Sequence, residues 1–171
     1  MSRLVGSVQG ATFADGSVAD VELWASTEPV AEERVFAAMA VVSDRTGRYA
    51  AVYSPRRREW GSPGGWREPG ESVAECVLRE VWEETGLQLA PDTLRVCGHE
   101  DFVPRSAHGL WPEHGGSLQI FRVRLPVAGT ELVAAEPDAV DPRWLTAEEF
   151  EELSGRQFWW PLVAAAMADQ E

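Results

Sequence analysis

Residues 65–87 run GWREPGESVAECVLREVWEETGL. Ser72, followed three residues later by Glu75, is a capping-box signature, and Gly86 is placed to end a helix. The spacing therefore predicts a helix over Val73–Thr85. At 3.6 residues per turn, Ala74, Val77, Leu78, Val81 and Thr85 share one arc, with Trp82 at its edge, and that arc is expected to pack on a sheet. Glu80, Glu83 and Glu84 share the opposite arc. Like charges three and four apart cost roughly a few tenths of a kcal/mol per pair. The C-terminal end of the helix dipole disfavours them further. Two readings stay open: a solvated acidic face, or hard oxygen donors suited to Mg²⁺ or Mn²⁺. The neighbouring residues favour the second. Gly64-Gly65 allows close approach of the backbone and offers a carbonyl as another hard ligand. Arg79 can pair with Glu71 across the loop and fix the acidic face, while Glu71 also suits the helix N-terminus.

Upstream of this helix, residues 4–13 and 18–24 alternate around an Asp15-Gly16 step and read as a β-hairpin. Residues 27–33 are polar and read as a connection or a short helical turn. Residues 36–43 (FAAMAVVS) make a nearly continuous apolar run, as in a strand buried on both faces. A turn at 44–48 leads to a partner strand over Tyr49–Ser54. Three arginines and a Gly/Pro-rich loop from Trp60 to Trp66 follow. Downstream, strands are expected at 94–103, 118–125 and 143–145, a helix opening near Thr146, and a last helix over 161–168. Strands interleaved with a few helices imply an α/β fold, a mixed sheet between helical layers.

At 171 residues, one compact domain over residues 1–171 is the expectation, with residues 1–34 as an N-terminal hairpin extension. The net charge of −13 argues against a nucleic-acid polymer as partner, although a cation can still bridge an acidic surface to a small polyanion. No apolar stretch reaches the length of a membrane span, and residues 1–6 lack the apolar core of a signal peptide. Cys76 and Cys97 are too few for a disulfide framework or a thiolate metal site, which fits a cytoplasmic location.

Gly65, then Glu71, then Arg79-Glu80-Val81-Trp82-Glu83-Glu84-Thr85-Gly86-Leu87 resembles the Nudix box G-x5-E-x7-R-E-U-x-E-E-x-G-U, with U aliphatic, and every defined position is filled. The flanking Trp60-Gly-Ser-Pro-Gly-Gly and the strand order extend the resemblance over about residues 35–168. It implies a Nudix-type α/β/α sandwich with a mixed β-sheet. It also implies Mg²⁺- or Mn²⁺-dependent cleavage of a phosphoanhydride bond in a nucleoside diphosphate linked to another group. A nucleoside triphosphate giving the monophosphate and pyrophosphate is the leading expectation. A sugar-nucleotide or ADP-ribose-type substrate is the second, and an inactive nucleotide-sensing module the third.

The resemblance places metal on Glu80, Glu83 and Glu84 with the Gly64 carbonyl, and makes Glu71 and Arg79 the brace of the catalytic set. Glu80 is the first candidate for the general base. Glu136, ahead of the Arg143-Trp144 step, is the second, and Glu113 and Glu100 are weaker ones. Arg56, Arg57 and Arg58 are expected to grip phosphate. Trp111, Trp159, Trp160, Phe102, His108 and His114 are available to hold the base or sugar, with Trp111 and Trp159 preferred, whereas Trp60, Trp82 and Trp144 are assigned to the core. The Trp159-Trp160-Pro161 step stands where some guanine-reading members carry an asparagine, which lowers an oxidised-purine triphosphatase among the options. The partner is a small nucleotide, not a membrane or a nucleic acid, and the chain is expected as a monomer or homodimer.

Overall fold

The computed structural model describes residues 1–105, 111–135 and 140–169. Among them, nine strands build one sheet: β1 (Ser2–Thr12), β2 (Val18–Ser26), β3 (Val35–Ser43), β4 (Tyr49–Ser54), β5 (Glu59–Gly61), β6 (Gly64–Trp66), β7 (Arg95–Pro104), β8 (Gly116–Arg124) and β9 (Val140–Leu145). Their order is β1-β2-β7-β8-β3-β4-β5, with β6 added to β3 and β9 to β4. The β3–β8 pair is parallel, whereas the other pairs are antiparallel, so the sheet is mixed as expected.

The apolar run of β3 is explained by cover on both faces. Ala38, Ala40 and Val42 join Phe121 and Val123 of β8 against Cys76, Val77 and Val81 of helix α1 (Val73–Thr85). On the other face, Val41 and Ile120 pack under Phe150 of α2 (Ala147–Ser154) and Trp160, Leu162 and Val163 of α3 (Trp160–Ala168). Helices on both faces make the α/β/α sandwich, each face burying one side of the period-2 strands. No helix among the described residues is long and apolar enough to cross a membrane.

The capping chemistry forms as the sequence predicts. Ser72 accepts from the Glu75 amide while Glu75 accepts from the Ser72 amide, and Gly86 closes α1 in the left-handed region at φ 76. Thr146 and Glu149 repeat the box at the start of α2.

The N-terminal hairpin forms at the edge of the sheet, where β2 is hydrogen-bonded to β7 with Ala19, Val21 and Leu23 in the core. Three expectations change. The Gly/Pro-rich stretch around Trp60 contributes two three-residue strands, β5 and β6, and Gly64 of β6 lies where a Cβ would meet the Ala38 and Met39 backbone. The last strand is longer than expected, Val140–Leu145 rather than 143–145. Trp82 is not core: it is 44% exposed, since the edge of the apolar arc on α1 overhangs the sheet. Trp60 and Trp144 do pack against the core clusters, and the Trp144 indole N–H donates to the Thr130 carbonyl at 2.8 Å.

Phe150 is fully buried, with its ring 5.2 Å from that of Trp160. Truncating such a ring leaves a cavity, so Phe150→Ala is expected to cost about 3–5 kcal/mol in urea unfolding. A loss below about 1 kcal/mol would mean that α2 is not a structural cover of this face.

Candidate active site

The acidic arc of α1 faces β6, and one guanidinium organises it. Arg79 Nε lies 2.6 Å from Glu71 Oε2, and its Nη2 donates to Glu71 Oε1 at 3.0 Å and to the Trp66 carbonyl at 2.9 Å. The Nη1 group reaches Glu80 at 2.9 Å and Glu83 at 3.1 Å. The sequence anticipated the Glu71 pair; the additional hold on Glu80 and Glu83 is new. This rigid fork is a geometry that lysine cannot copy. Its hydrogen bonds hold the Glu71 carboxyl below its ordinary range and keep Arg79 firmly charged.

Glu84 is placed differently. Its Oε2 accepts the Gly64 amide at 3.0 Å, and burial pushes its pKa up to about 8. Burial also raises Glu80, against the opposing pull of Arg79. Gly65 is required by space: an added Cβ would stand 2.5 Å from the Glu80 carboxylate. Gly64 pairs across from Met39, which brings β6 against the acidic arc. These are hard oxygen donors of the kind that hold Mg²⁺ or Mn²⁺. Among the described residues, no three His, Cys, Asp or Glu side chains close on one point as a ready metal cage. The reason is visible: Glu80 and Glu83 turn toward Arg79, while Glu84 turns toward Gly64.

The three arginines separate. Arg57 faces the site, with Nε 3.5 Å from Glu59 and its charge acting on Glu84, Glu59 and Glu100. Arg56 instead acts on Asp15 in the β1–β2 turn, and Arg58 occupies the turn's left-handed position at φ 54.

Trp111 stacks on Phe102, with centroids 5.0 Å apart, and packs edge-on to Phe13 and Phe36. With Phe36 and Trp66 it lines a cleft of about 430 Å³ beside residues 67–70, and its indole N–H is buried without a partner among the described residues. Trp159 is not available for stacking. It is 8% exposed, packed with Phe150 and Trp160, and its indole N–H faces the Glu59 carboxylate. Trp160 is equally part of the core. Glu136 and His108 lie outside the described residues.

Glu100, a weaker base candidate, is a buried acid. It stands on β7 opposite Leu23 and Leu118, is 4% exposed, and burial pushes its pKa up to about 8. An acid within an otherwise alternating strand was the available signal.

The domain model described as the NUDIX domain matches residues 33–165. The chain belongs to the Nudix family. A MutT-like protein of Streptomyces ambofaciens is 34% identical over 112 residues, which cover 66% of this chain and 64% of that protein. An NAD-capped RNA hydrolase NudC of Stutzerimonas stutzeri is 29% identical over 126 residues, covering 72% of this chain but 41% of its own length. The chain thus spans less than two thirds of these curated relatives. Among solved structures, the Nudix domain of Shewanella oneidensis NrtR complexed with ADP ribose superposes with a TM-score of 0.62 at 16% identity, over 79% of this chain and 87% of that one. A C. elegans Ap4A hydrolase gives 0.57 at 18% identity, over 77% and 96%. These two likenesses show the shared fold. Within it, Glu71, Glu80 and Glu83 of the Nudix box converge on Arg79, Glu84 accepts from Gly64, and Leu87, the last residue of the box, is buried in the α1 core.

Glu84 and Glu100 titrate near 8 in the folded chain against an ordinary value of 4.5. Between these values the folded chain retains protons that the unfolded chain has lost. Their stabilising share is complete below about 4.5 and is lost as pH rises through about 8. The lowered carboxyls, Asp44, Glu71 and Asp101, act below that window. Thermal unfolding in EDTA is therefore expected to show Tm falling across the window, with a shallower slope in Glu84→Gln. A flat profile in the parent protein would contradict the buried acids.

Proposed function

We propose that this chain is a divalent-metal-dependent pyrophosphohydrolase that splits a phosphoanhydride bond in a nucleoside diphosphate linked to another group. The observation that carries this reading is the acidic wall of α1, held by Arg79 against the Gly64-Gly65 backbone. Glu80, Glu83 and Glu84 with the Gly64 carbonyl would hold Mg²⁺ or Mn²⁺, which when bound neutralises the diphosphate and lowers the pKa of the attacking water. Taking up the ion asks Glu80 and Glu83 to exchange N–H donors of Arg79 for it. Glu80, with its raised proton affinity, is the first candidate to take the water's proton, and Glu136 is the second. Glu71 and Arg79 position the wall. Arg57, beside Glu84, is suited to a phosphate oxygen on the substrate.

A nucleoside triphosphate, giving the monophosphate and pyrophosphate, is the first substrate class. A second reading, a sugar or second nucleoside as the linked group, is supported by the Trp66–Trp111 cleft. That cleft adjoins the N-terminal end of α1, whereas Glu84 and Arg57 lie at its C-terminal end. An aromatic cleft suits a flat or apolar group better than a phosphate tail. An inactive sensing module has no need of the full carboxylate set.

A panel of nucleoside triphosphates, sugar nucleotides and ADP-ribose with Mg²⁺ or Mn²⁺, with products identified, tests the reading. Turnover that EDTA abolishes is expected, and its absence on every compound would overturn the proposal. Glu83→Gln is expected to lower kcat by about two to four orders of magnitude, with its far-ultraviolet circular dichroism unchanged. Retained activity would remove Glu83 from the metal set.

A further inference from the structure

We propose that residues 130–135 form a strap that positions the metal carboxylates at the end of α1, with Leu132 and Trp144 as the positioning residues that anchor it. The inference rests on the metal-dependent reading above and adds to it what holds Glu83 and Glu84 in place. Both stand in the last turn of α1. Local physics disfavours them there. The last carbonyls of a helix lack intrahelical donors, so the end frays, and its dipole opposes negative charge. Repulsion among Glu80, Glu83 and Glu84 adds to both effects. A carboxylate that moves with a fraying turn holds a cation poorly.

The strap supplies the missing donors. The Ala135 amide donates to the Glu83 carbonyl at 2.6 Å, and the Val133 amide donates to the Thr85 carbonyl at 2.9 Å. With the Gly86 amide on the Trp82 carbonyl at 2.8 Å, the turn that carries Glu83 and Glu84 is closed from outside the helix. Each donor also offsets part of the negative dipole end beside the carboxylates. The hold is made by backbone, since the Val133 side chain is 57% exposed. Its attachment comes from distant segments. Leu132 packs into the cluster of Val77, Val81 and Leu87 behind α1, and the Trp144 indole N–H on β9 donates to the Thr130 carbonyl at 2.8 Å. Gly86 leaves room for the strap: an added Cβ would stand 2.8 Å from the Val133 carbonyl. Groups that orient metal ligands from behind change metal affinity as strongly as this arrangement requires.

The test measures Mn²⁺ binding to the full chain, through the electron paramagnetic resonance signal of the free ion, alongside amide hydrogen exchange over residues 82–86. Leu132→Ala is expected to speed that exchange and to weaken Mn²⁺ binding about tenfold. Trp144→Phe keeps an aromatic ring and loses the N–H, and is expected to weaken binding about fivefold, the worth of one hydrogen bond. Val163→Ala opens a cavity on the opposite face of the sheet. It is expected to lower Tm and leave Mn²⁺ affinity unchanged, which separates positioning from general stability. On a nucleotide that the parent cleaves, the rate lost in the strap variants is expected to return at saturating Mn²⁺. Parent-like Mn²⁺ affinity in both strap variants would overturn the inference, as would an equal loss in Val163→Ala. Faster exchange at unchanged affinity would do the same, because the strap would then serve the helix alone. Absence of Mn²⁺ binding in the parent itself would instead sink the metal-dependent reading, and this inference with it.

Discussion

The site depends on one guanidinium meeting three carboxylates. Arg79 spends its donors on Glu71, Glu80, Glu83 and the Trp66 carbonyl. Four groups from a loop, a strand and a helix are thereby fixed to one planar fork. Remove that fork and the arc has no counter-charge to overcome the repulsion within it. The same fork dictates the path of β6: Trp66 must present its carbonyl, and Gly65 must pass where no Cβ fits. One positive charge still leaves the wall acidic. Glu84, which Arg79 does not reach, is instead held by the Gly64 amide and sits within the field of Arg57.

Much of this was legible because it is local. The capping boxes, the Gly86 stop, the apolar arc and the acidic arc are set by residues three and four apart, and the helix reproduces them. The alternation of β2 and β7 and the two-sided burial of β3 followed from strand periodicity in the same way. The Nudix box is local too, which is why the pairing of Arg79 with Glu71 is legible in the sequence, whereas its hold on Glu80 and Glu83 is not.

What was illegible depends on contacts between distant segments. Nothing near Trp82 shows that the apolar arc outruns the sheet, and nothing in residues 1–24 shows that β2 will sit beside β7. Three consecutive arginines look equivalent as a string. The β4–β5 turn sends Arg57 toward Glu84 and Glu100, Arg56 toward Asp15, and bends at Arg58. Trp159 looked like a stacking surface until α2 and α3 closed over it. Tertiary packing, not residue type, decides each of these cases.

The charge balance bears on how a polyanion can approach. A net charge of −13 disfavours anions on average, so a cation or a guanidinium is needed where a phosphate is to sit. Arg79 is consumed by its carboxylates and Arg67 by the Glu71 and Val35 carbonyls, whereas Arg57, paired only through Nε with Glu59 among the described residues, exerts its charge on Glu84. Its partner Glu59 is shared with the Trp159 indole, so the pair is tied to the core instead of floating on the surface. On the function proposed above, phosphate would settle between Arg57 and the wall of α1, and the group attached to it would lie toward the cleft of Trp66 and Trp111 beside the N-terminal end of that helix.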